Sequence, residues 1–284
     1  MEMKQIGVLG AGAMGGGIAQ VAAVAGYQVI LYDAVPGQVD RATGRMDGFF
    51  KKSVEKGKMT EAERAAVLER IRPAAGMDDF AQADLVIEAI IEDPVAKKEA
   101  FAQLDDICKP EACLVSNTSS ISITTIAAAT GRPAKVAGMH FFNPPPLMKL
   151  VEVIRGYFTA DDTVQLVSAV AREMGKTPIE VKKDSPGFVV NRILLAQFAE
   201  AIRLLEEGVA SVEDIDRAVK LGLNYPMGPF ELQDFTGVDI GYHVLNYFYD
   251  EFKDMRWNPP QALKALIRAG RLGRKSGAGW YEYK

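Results

Sequence analysis

Residues 5–33 read QIGVLGAGAMGGGIAQVAAVAGYQVILYD, and few folds can accommodate such a stretch. A short apolar strand (5–9) runs into Gly10-Ala11-Gly12-Ala13-Met14-Gly15. A helix-like segment then ends at Gly26, and a second apolar run finishes on Asp33. Each small residue has a distinct physical task. Gly10 permits a sharp turn, Gly12 lets backbone approach a pyrophosphate, and Gly15 lets a helix pack tightly on its strand. The positive N-terminal end of that helix, through Gly12, Ala13 and Met14, would face the phosphates. Asp33 lies eighteen residues beyond Gly15, where a carboxylate can accept both ribose hydroxyls and repel a 2′-phosphate. NAD is therefore the expected cofactor, with FAD as the competitor and a ligand-free tight turn as the bland alternative.

The alternation continues with strand-like runs at 85–90, 113–117 and 135–142, and with a helical segment at 94–107 that begins at Pro94. Residues 36–72 read as a long helical region broken near Gly57, carrying Lys51, Lys52, Lys56 and Lys58. Strands separated by helices predict an α/β fold, a doubly wound parallel sheet of the Rossmann type. In such sheets ligands lie beyond the carboxyl ends of the strands, so Asp33, Glu92, Asn117 and His140 should share one rim. Beyond Pro186 the pattern becomes all-helical. Residues 187–208 place apolar side chains at 190, 194, 198, 201, 202 and 205, and further helices fall near 212–221, 229–236, 239–253 and 260–269. The only strand-like segment there is the closing GWYEYK. With 284 residues exceeding one ordinary core, two domains are predicted, 1–185 and 186–284. The wide apolar face of the 187–208 helix suggests burial on two sides, one of them against a second subunit.

A net charge of −4 argues against a nucleic-acid binder, and no apolar run approaches the roughly 20 residues needed to cross a bilayer. The chain enters a strand almost at once, so an intracellular, cytoplasmic protein (or one already processed) is expected. Cys108 and Cys113 are too far apart for a CxxC pair, and with two histidines no zinc site is expected; both thiols should be reduced and buried or half-buried.

One of those histidines closes the run VAGMHFF just before three prolines, and Glu152 interrupts the next apolar run, LVEVI. Oxidising a secondary alcohol requires a hydride acceptor and a base, and free imidazole, titrating near pH 6.5, suits the proton. A carboxylate beside it would fix the tautomer and stabilise the imidazolium. Because Pro144, Pro145 and Pro146 must leave the sheet, the chain can return Glu152 beside His140. A hydrogen-bonded core histidine and an unrelated glutamate form the competing reading. His243, among Tyr and Phe residues, reads as structural, and Arg268, Arg271 and Arg274 as surface.

GAGAMG, SNTSS (116–120), HFFNPPPLMKLVEVI, PGFVVNR (186–192), GPFELQD (228–234) and GRKSGAGWYEY together resemble the 3-hydroxyacyl-CoA dehydrogenase family along the whole chain, its short stand-alone bacterial 3-hydroxybutyryl-CoA members above all. The resemblance implies a catalytic pair at His140 and Glu152, with Ser119 and Asn191 at the substrate oxygen. NAD contacts would fall on the glycine loop, Asp33, Glu92, Lys97, Asn117, Ser119, Asn143 and Lys275. A CoA-binding lysine falls on Lys56; a neighbouring family serine aligns with Phe49, so Lys51 or Lys52 would contribute there instead. The implied partners are an acyl-CoA substrate and a second copy of the chain, docked through the helical domain. On residue chemistry alone, Asn191 can equally bond backbone, Ser119 can equally cap a helix, and each lysine can be solvated surface. A hydroxyacid dehydrogenase of the hydroxyisobutyrate or phosphogluconate type, or a non-catalytic, crystallin-like dinucleotide binder, are the rival functions.

Overall fold

The apolar runs of the first half assemble into one eight-stranded sheet. In the computed structural model, which describes residues 3–283, the strands are β1 (Gln5–Leu9), β2 (Gln28–Tyr32), β3 (Ile71–Pro73), β4 (Leu85–Glu88), β5 (Cys113–Ser116), β6 (Val136–Phe141), β7 (Leu150–Ile154) and β8 (Thr177–Val181). Their order is β3-β2-β1-β4-β5-β6-β7-β8. Neighbours from β3 to β6 are parallel, whereas β6 and β7 are antiparallel and β7 and β8 parallel to each other. The central strands are buried on both faces and therefore read as continuous apolar runs.

Helices α1 (Ala13–Val24), α2 (Gln38–Glu55), α3 (Glu61–Glu69), α4 (Pro94–Ile107), α5 (Ile123–Ala127) and α6 (Asp161–Glu173) connect or flank the strands. One face of the sheet, with Ile6, Val8 and Leu31, packs against Ile18 and Ala19 of α1 and Val167 and Val170 of α6 in a single core. Two corrections arise. The region 36–72 is not helical throughout: α2 stops at Glu55, Thr60 caps α3 in a reciprocal capping box with Glu63, and residues 71–73 are an edge strand. Pro73 at the sheet's margin fits an edge position, because proline cannot donate to a ladder. The strand β8 was not among the expected strands and lies at the opposite edge of the sheet.

The chain divides into two compact units between Ser185 and Pro186. The second unit is helical, with α7 (Val190–Glu206), α8 (Val212–Gly222), α9 (Pro229–Thr236), α10 (Val238–Phe252) and α11 (Gln261–Arg268). Phe198, Ile202, Ile215, Phe230, Leu245, Phe248 and Trp257 form its core. The helix α7 begins at Val190, later than residue 187, because Gly187 and Phe188 both take positive φ. Residues 279–283 of the closing GWYEYK are not a full strand, Glu282 forming only an isolated bridge to Ala278, and Lys284 lies outside the described residues. Two buried acids secure that tail. Asp216 accepts from the backbone N–H groups of Phe230 (2.8 Å) and Glu231 (2.9 Å) and from the Tyr281 hydroxyl (2.8 Å). Asp234 accepts from the N–H groups of Trp280 and Tyr281 and from the Tyr283 hydroxyl, each at 2.9 Å. Among the described residues no helix is long and apolar enough to cross a membrane.

Candidate active site

Between β1 and α1 the three glycines differ in what surrounds them. Gly10 has φ +101°, and a Cβ there would lie 2.5 Å from the Ala89 carbonyl oxygen. A Cβ on Gly15 would lie 1.8 Å from the Gly10 oxygen, so helix and turn are in direct contact. Around Gly12 a Cβ would meet nothing within 4 Å. The α1 N-terminus has no side-chain cap and no acid in its first turn, which leaves its N–H groups to an anion. Ala11 is buried, Met14 half-buried and Ala13 exposed. Asp33, just past β2, accepts from Ala11 N–H at 2.7 Å and from Val35 N–H at 2.8 Å, so the acid at the end of β2 also braces the glycine turn. Open space over Gly12, uncapped N–H groups and a carboxylate beyond β2 fit a dinucleotide.

The ends of β4 and β5 carry a buried charge network. Glu88, fully buried, accepts from Lys97 Nζ at 2.6 Å, Ile90 N–H at 2.7 Å and Ser116 Oγ at 2.6 Å. Lys97 is 1 % exposed and lies 3.4 Å from Glu92. Glu92 in turn gathers the 118–120 loop, accepting from Thr118 Oγ1 at 2.6 Å, Ser119 N–H at 2.9 Å and Ser120 N–H at 3.1 Å. Burial pushes the Glu92 carboxyl up, but the Lys97 charge and these hydrogen bonds outweigh it and hold the group below its ordinary range. Ser119, half-buried, also directs its Oγ to Glu92 at 3.3 Å. Glu88 and Ser116 were not singled out from sequence; the one available signal was an acid inside the apolar run LVIEAI.

Asn117, past β5, accepts from Phe141 N–H at 2.8 Å and so joins the ends of β5 and β6. On β6 and β7 the antiparallel register sets His140 directly opposite Glu152. His140 Nδ1 lies 2.7 Å from Glu152 Oε2, with the histidine 5 % exposed and the glutamate fully buried. Strand pleating turns both away from the core that takes Met139, Phe141, Val151 and Val153. The Phe142 ring tilts against the imidazole, 4.7 Å between centroids.

Asn143 is exposed in the following loop. Lys51 pairs with Asp47 at 2.8 Å, while Lys52 and Lys56 are exposed with no ion pair among the described residues. In the helical unit, Asn191 is half-buried in the first turn of α7, less enclosed than its apolar context suggested. Lys275 is exposed and donates to Asp239 at 2.7 Å. His243 is exposed on α10, with its ring edge-on to that of Tyr242. Cys108 and Cys113 are free, buried thiols. No cluster among the described residues could hold a metal ion.

Comparison with known proteins adds independent findings. Residues 5–185 match the model of the 3-hydroxyacyl-CoA dehydrogenase NAD binding domain, and residues 187–283 that of the 3-hydroxyacyl-CoA dehydrogenase C-terminal domain. A probable 3-hydroxybutyryl-CoA dehydrogenase of Deinococcus radiodurans is 49 % identical over 279 residues, covering 98 % of this chain and 100 % of that protein. A 3-hydroxybutyryl-CoA dehydrogenase of Clostridioides difficile is 44 % identical over 279 residues, covering 98 % and 99 %. The crystal structure of an (S)-3-hydroxybutyryl-CoA dehydrogenase from Ralstonia eutropha superposes with a TM-score of 0.97 at 43 % identity, covering both chains completely.

Proposed function

The chain belongs to the 3-hydroxyacyl-CoA dehydrogenase family, an NAD-dependent oxidoreductase class, and from that premise we propose that it interconverts (3S)-3-hydroxybutyryl-CoA and acetoacetyl-CoA with His140 and Glu152 as the proton-handling pair. The observation that carries this reading is the 2.7 Å contact between the two side chains, which sit directly opposite each other on β6 and β7.

Bound NAD supplies the hydride acceptor, or the donor in reverse; the remaining steps are the protein's own. An ionised carboxylate only accepts hydrogen bonds, so Glu152 selects the tautomer with hydrogen on Nδ1 and leaves Nε2 to act on the substrate hydroxyl. During oxidation Nε2 takes the hydroxyl proton, and the adjacent carboxylate stabilises the imidazolium; during reduction the same nitrogen returns the proton to the ketone oxygen. Ser119 is proposed to bond the reacting oxygen, from a loop that Glu92 holds in place. The glycine turn from Gly10 to Gly15 cradles the pyrophosphate, and Asp33 meets the adenosine ribose. Glu92, Lys97, Asn117 and Asn143 are proposed cofactor contacts, with Lys97 acting from its buried position beside Glu88. Lys56, aided by Lys52 and Lys51, is proposed to meet the CoA phosphates as point charges. Asn191 and Lys275 are assigned their substrate and cofactor roles from the family resemblance.

We also propose a homodimer formed through the helical unit. Leu221 and Ile193, 80 % and 65 % exposed, support it, as do the exposed Val209, Leu223, Phe235 and Ile240. A cytoplasmic location is proposed as well. The test of the central reading follows absorbance at 340 nm with acetoacetyl-CoA, using NADH and NADPH separately. Rapid consumption of NADH with little of NADPH is expected, and His140→Ala should lower turnover about 10²- to 10⁴-fold. NADH binding without turnover, or near-normal kcat in the variant, would overturn it.

A further inference from the structure

The loop between β6 and β7 carries three consecutive prolines, which remove three backbone donors from the segment joining His140 to Glu152. It still makes a turn of its own, in which the Pro144 carbonyl accepts from Leu147 N–H at 3.0 Å and Met148 N–H at 3.1 Å. The carbonyls of Pro145 and Met148 find their partner elsewhere: Lys176 Nζ, at 2.5 Å and 3.0 Å. Lys176 lies between α6 and β8 and is buried, 8 % exposed, with no ion pair among the described residues. Its backbone is held beside the loop because the neighbouring Thr177 N–H donates to the Lys149 carbonyl at 2.7 Å.

An ammonium out of water without a counter-ion is costly, and for stability alone an apolar side chain of that length would serve as well. What an apolar chain cannot do is give donors to two carbonyls of a loop poor in its own. Burial also lowers the Lys176 pKa from the ordinary lysine value. From the other side the loop rests on α1, where a Cβ on Gly17 would come within 2.8 Å of Pro145 Cδ. The loop is therefore held between a lysine and the bare face of the helix that starts at the glycine turn. It carries Phe142, whose ring meets His140, and Asn143.

We propose that Lys176 is a positioning residue for the reaction: its ammonium clamps the Pro145 and Met148 carbonyls against Gly17 of α1, setting Asn143 and Phe142 in register with the bound dinucleotide. This rests on the reading that Asn143 touches the cofactor. The affinity for NADH, followed by nucleotide fluorescence without acyl substrate, is therefore the primary measurement. Failure of the wild type to turn over acetoacetyl-CoA would sink the substrate assignment and leave this test intact.

Lys176→Met keeps the stem and loses the donors, and it should raise the Kd for NADH at least fivefold while kcat at saturating NADH changes less. Gly17→Ala pushes the same loop from the opposite side. Alanine gains about 1 kcal/mol as the better helix former, which offsets much of the cost of displacing Pro145, so its thermal midpoint should change little while NADH affinity drops, a combination that a purely structural role would not produce. Combined, the two should weaken NADH binding by less than the product of their separate factors, since they act on one loop. Should Lys176→Met not fold, Lys176→Gln, which retains a donor, takes its place with a smaller increase expected. A folded Lys176 variant, or Gly17→Ala, with a Kd within twofold of wild type would overturn the proposal, as would fully multiplicative effects.

Discussion

Replacing Glu152 by glutamine changes almost no volume and removes one buried charge. At a contact of 2.7 Å the centres of the carboxylate and imidazolium charges lie about 4 Å apart, worth about 4 kcal/mol at an effective dielectric of roughly 20. The carboxylate stabilises the transition state only by the fraction of the proton that has moved. Half transfer gives about 2 kcal/mol, or roughly 30-fold in rate, and complete transfer about 10³-fold. Glutamine adds a second penalty inside those bounds, because its amide can donate to Nδ1 and so favour the unproductive tautomer. We therefore expect kcat for NADH-dependent reduction of acetoacetyl-CoA to fall between about 30- and 10³-fold, followed at 340 nm with both substrates saturating. NADH affinity should stay close to wild type, since Glu152 faces the histidine, and so should stability, because glutamine keeps the volume and can still hydrogen-bond the neutral ring. A variant retaining a third or more of wild-type kcat would show that the pair is a packed core contact.

Gly12→Ala should fold normally, because a Cβ there meets nothing within 4 Å, yet lose NADH affinity at least tenfold by about 1.4 kcal/mol or more; unchanged affinity would contradict the cradle. Gly15→Ala should instead cost about 1–3 kcal/mol and lower the thermal midpoint by several degrees, since its Cβ would sit 1.8 Å from a backbone oxygen. Glu92 titrates below its ordinary range when folded, so its stabilisation is complete above the unfolded carboxylate pKa and drains away as pH falls through the lower folded value. The gap in thermal midpoint between wild type and Glu92→Gln should accordingly shrink as pH is lowered from about 6 towards 3, and a gap that widens would refute the sign. Burial pushes the Cys108 thiol up to about 11, so a thiol reagent at about pH 8 should label it only as fast as the unit opens. Rapid labelling of the native protein would be inconsistent with that burial.

The glycine turn, Asp33 and the His140–Glu152 pair were legible because each is written locally: a glycine spacing, an acid at a strand end, and an out-of-place polar residue in each of two apolar runs separated by prolines. The edges of the sheet were not. Three residues ending in proline, β3, are too short to carry a period, and Pro178 at the second position of β8 argues against a strand until the edge is known. Glu88 was hidden for the opposite reason. A lone acid in a buried strand looks like an interruption until the fold brings Lys97, nine positions on, to within 2.6 Å. Lys176 sat in a Gly-Lys-Thr-Pro stretch that resembles any turn; only its carbonyl partners, 28 and 31 residues back, distinguish it.

Asp216 and Asp234 receive donors from Trp280, Tyr281 and Tyr283 as well as from the start of α9. During synthesis, then, α8 and α9 carry two carboxylates with unmet demands until Tyr283 has left the ribosome, whereas every strand of the sheet is already available by Val181. The nucleotide unit can thus mature on the nascent chain, while the helical unit must wait for its closing residues before it is complete.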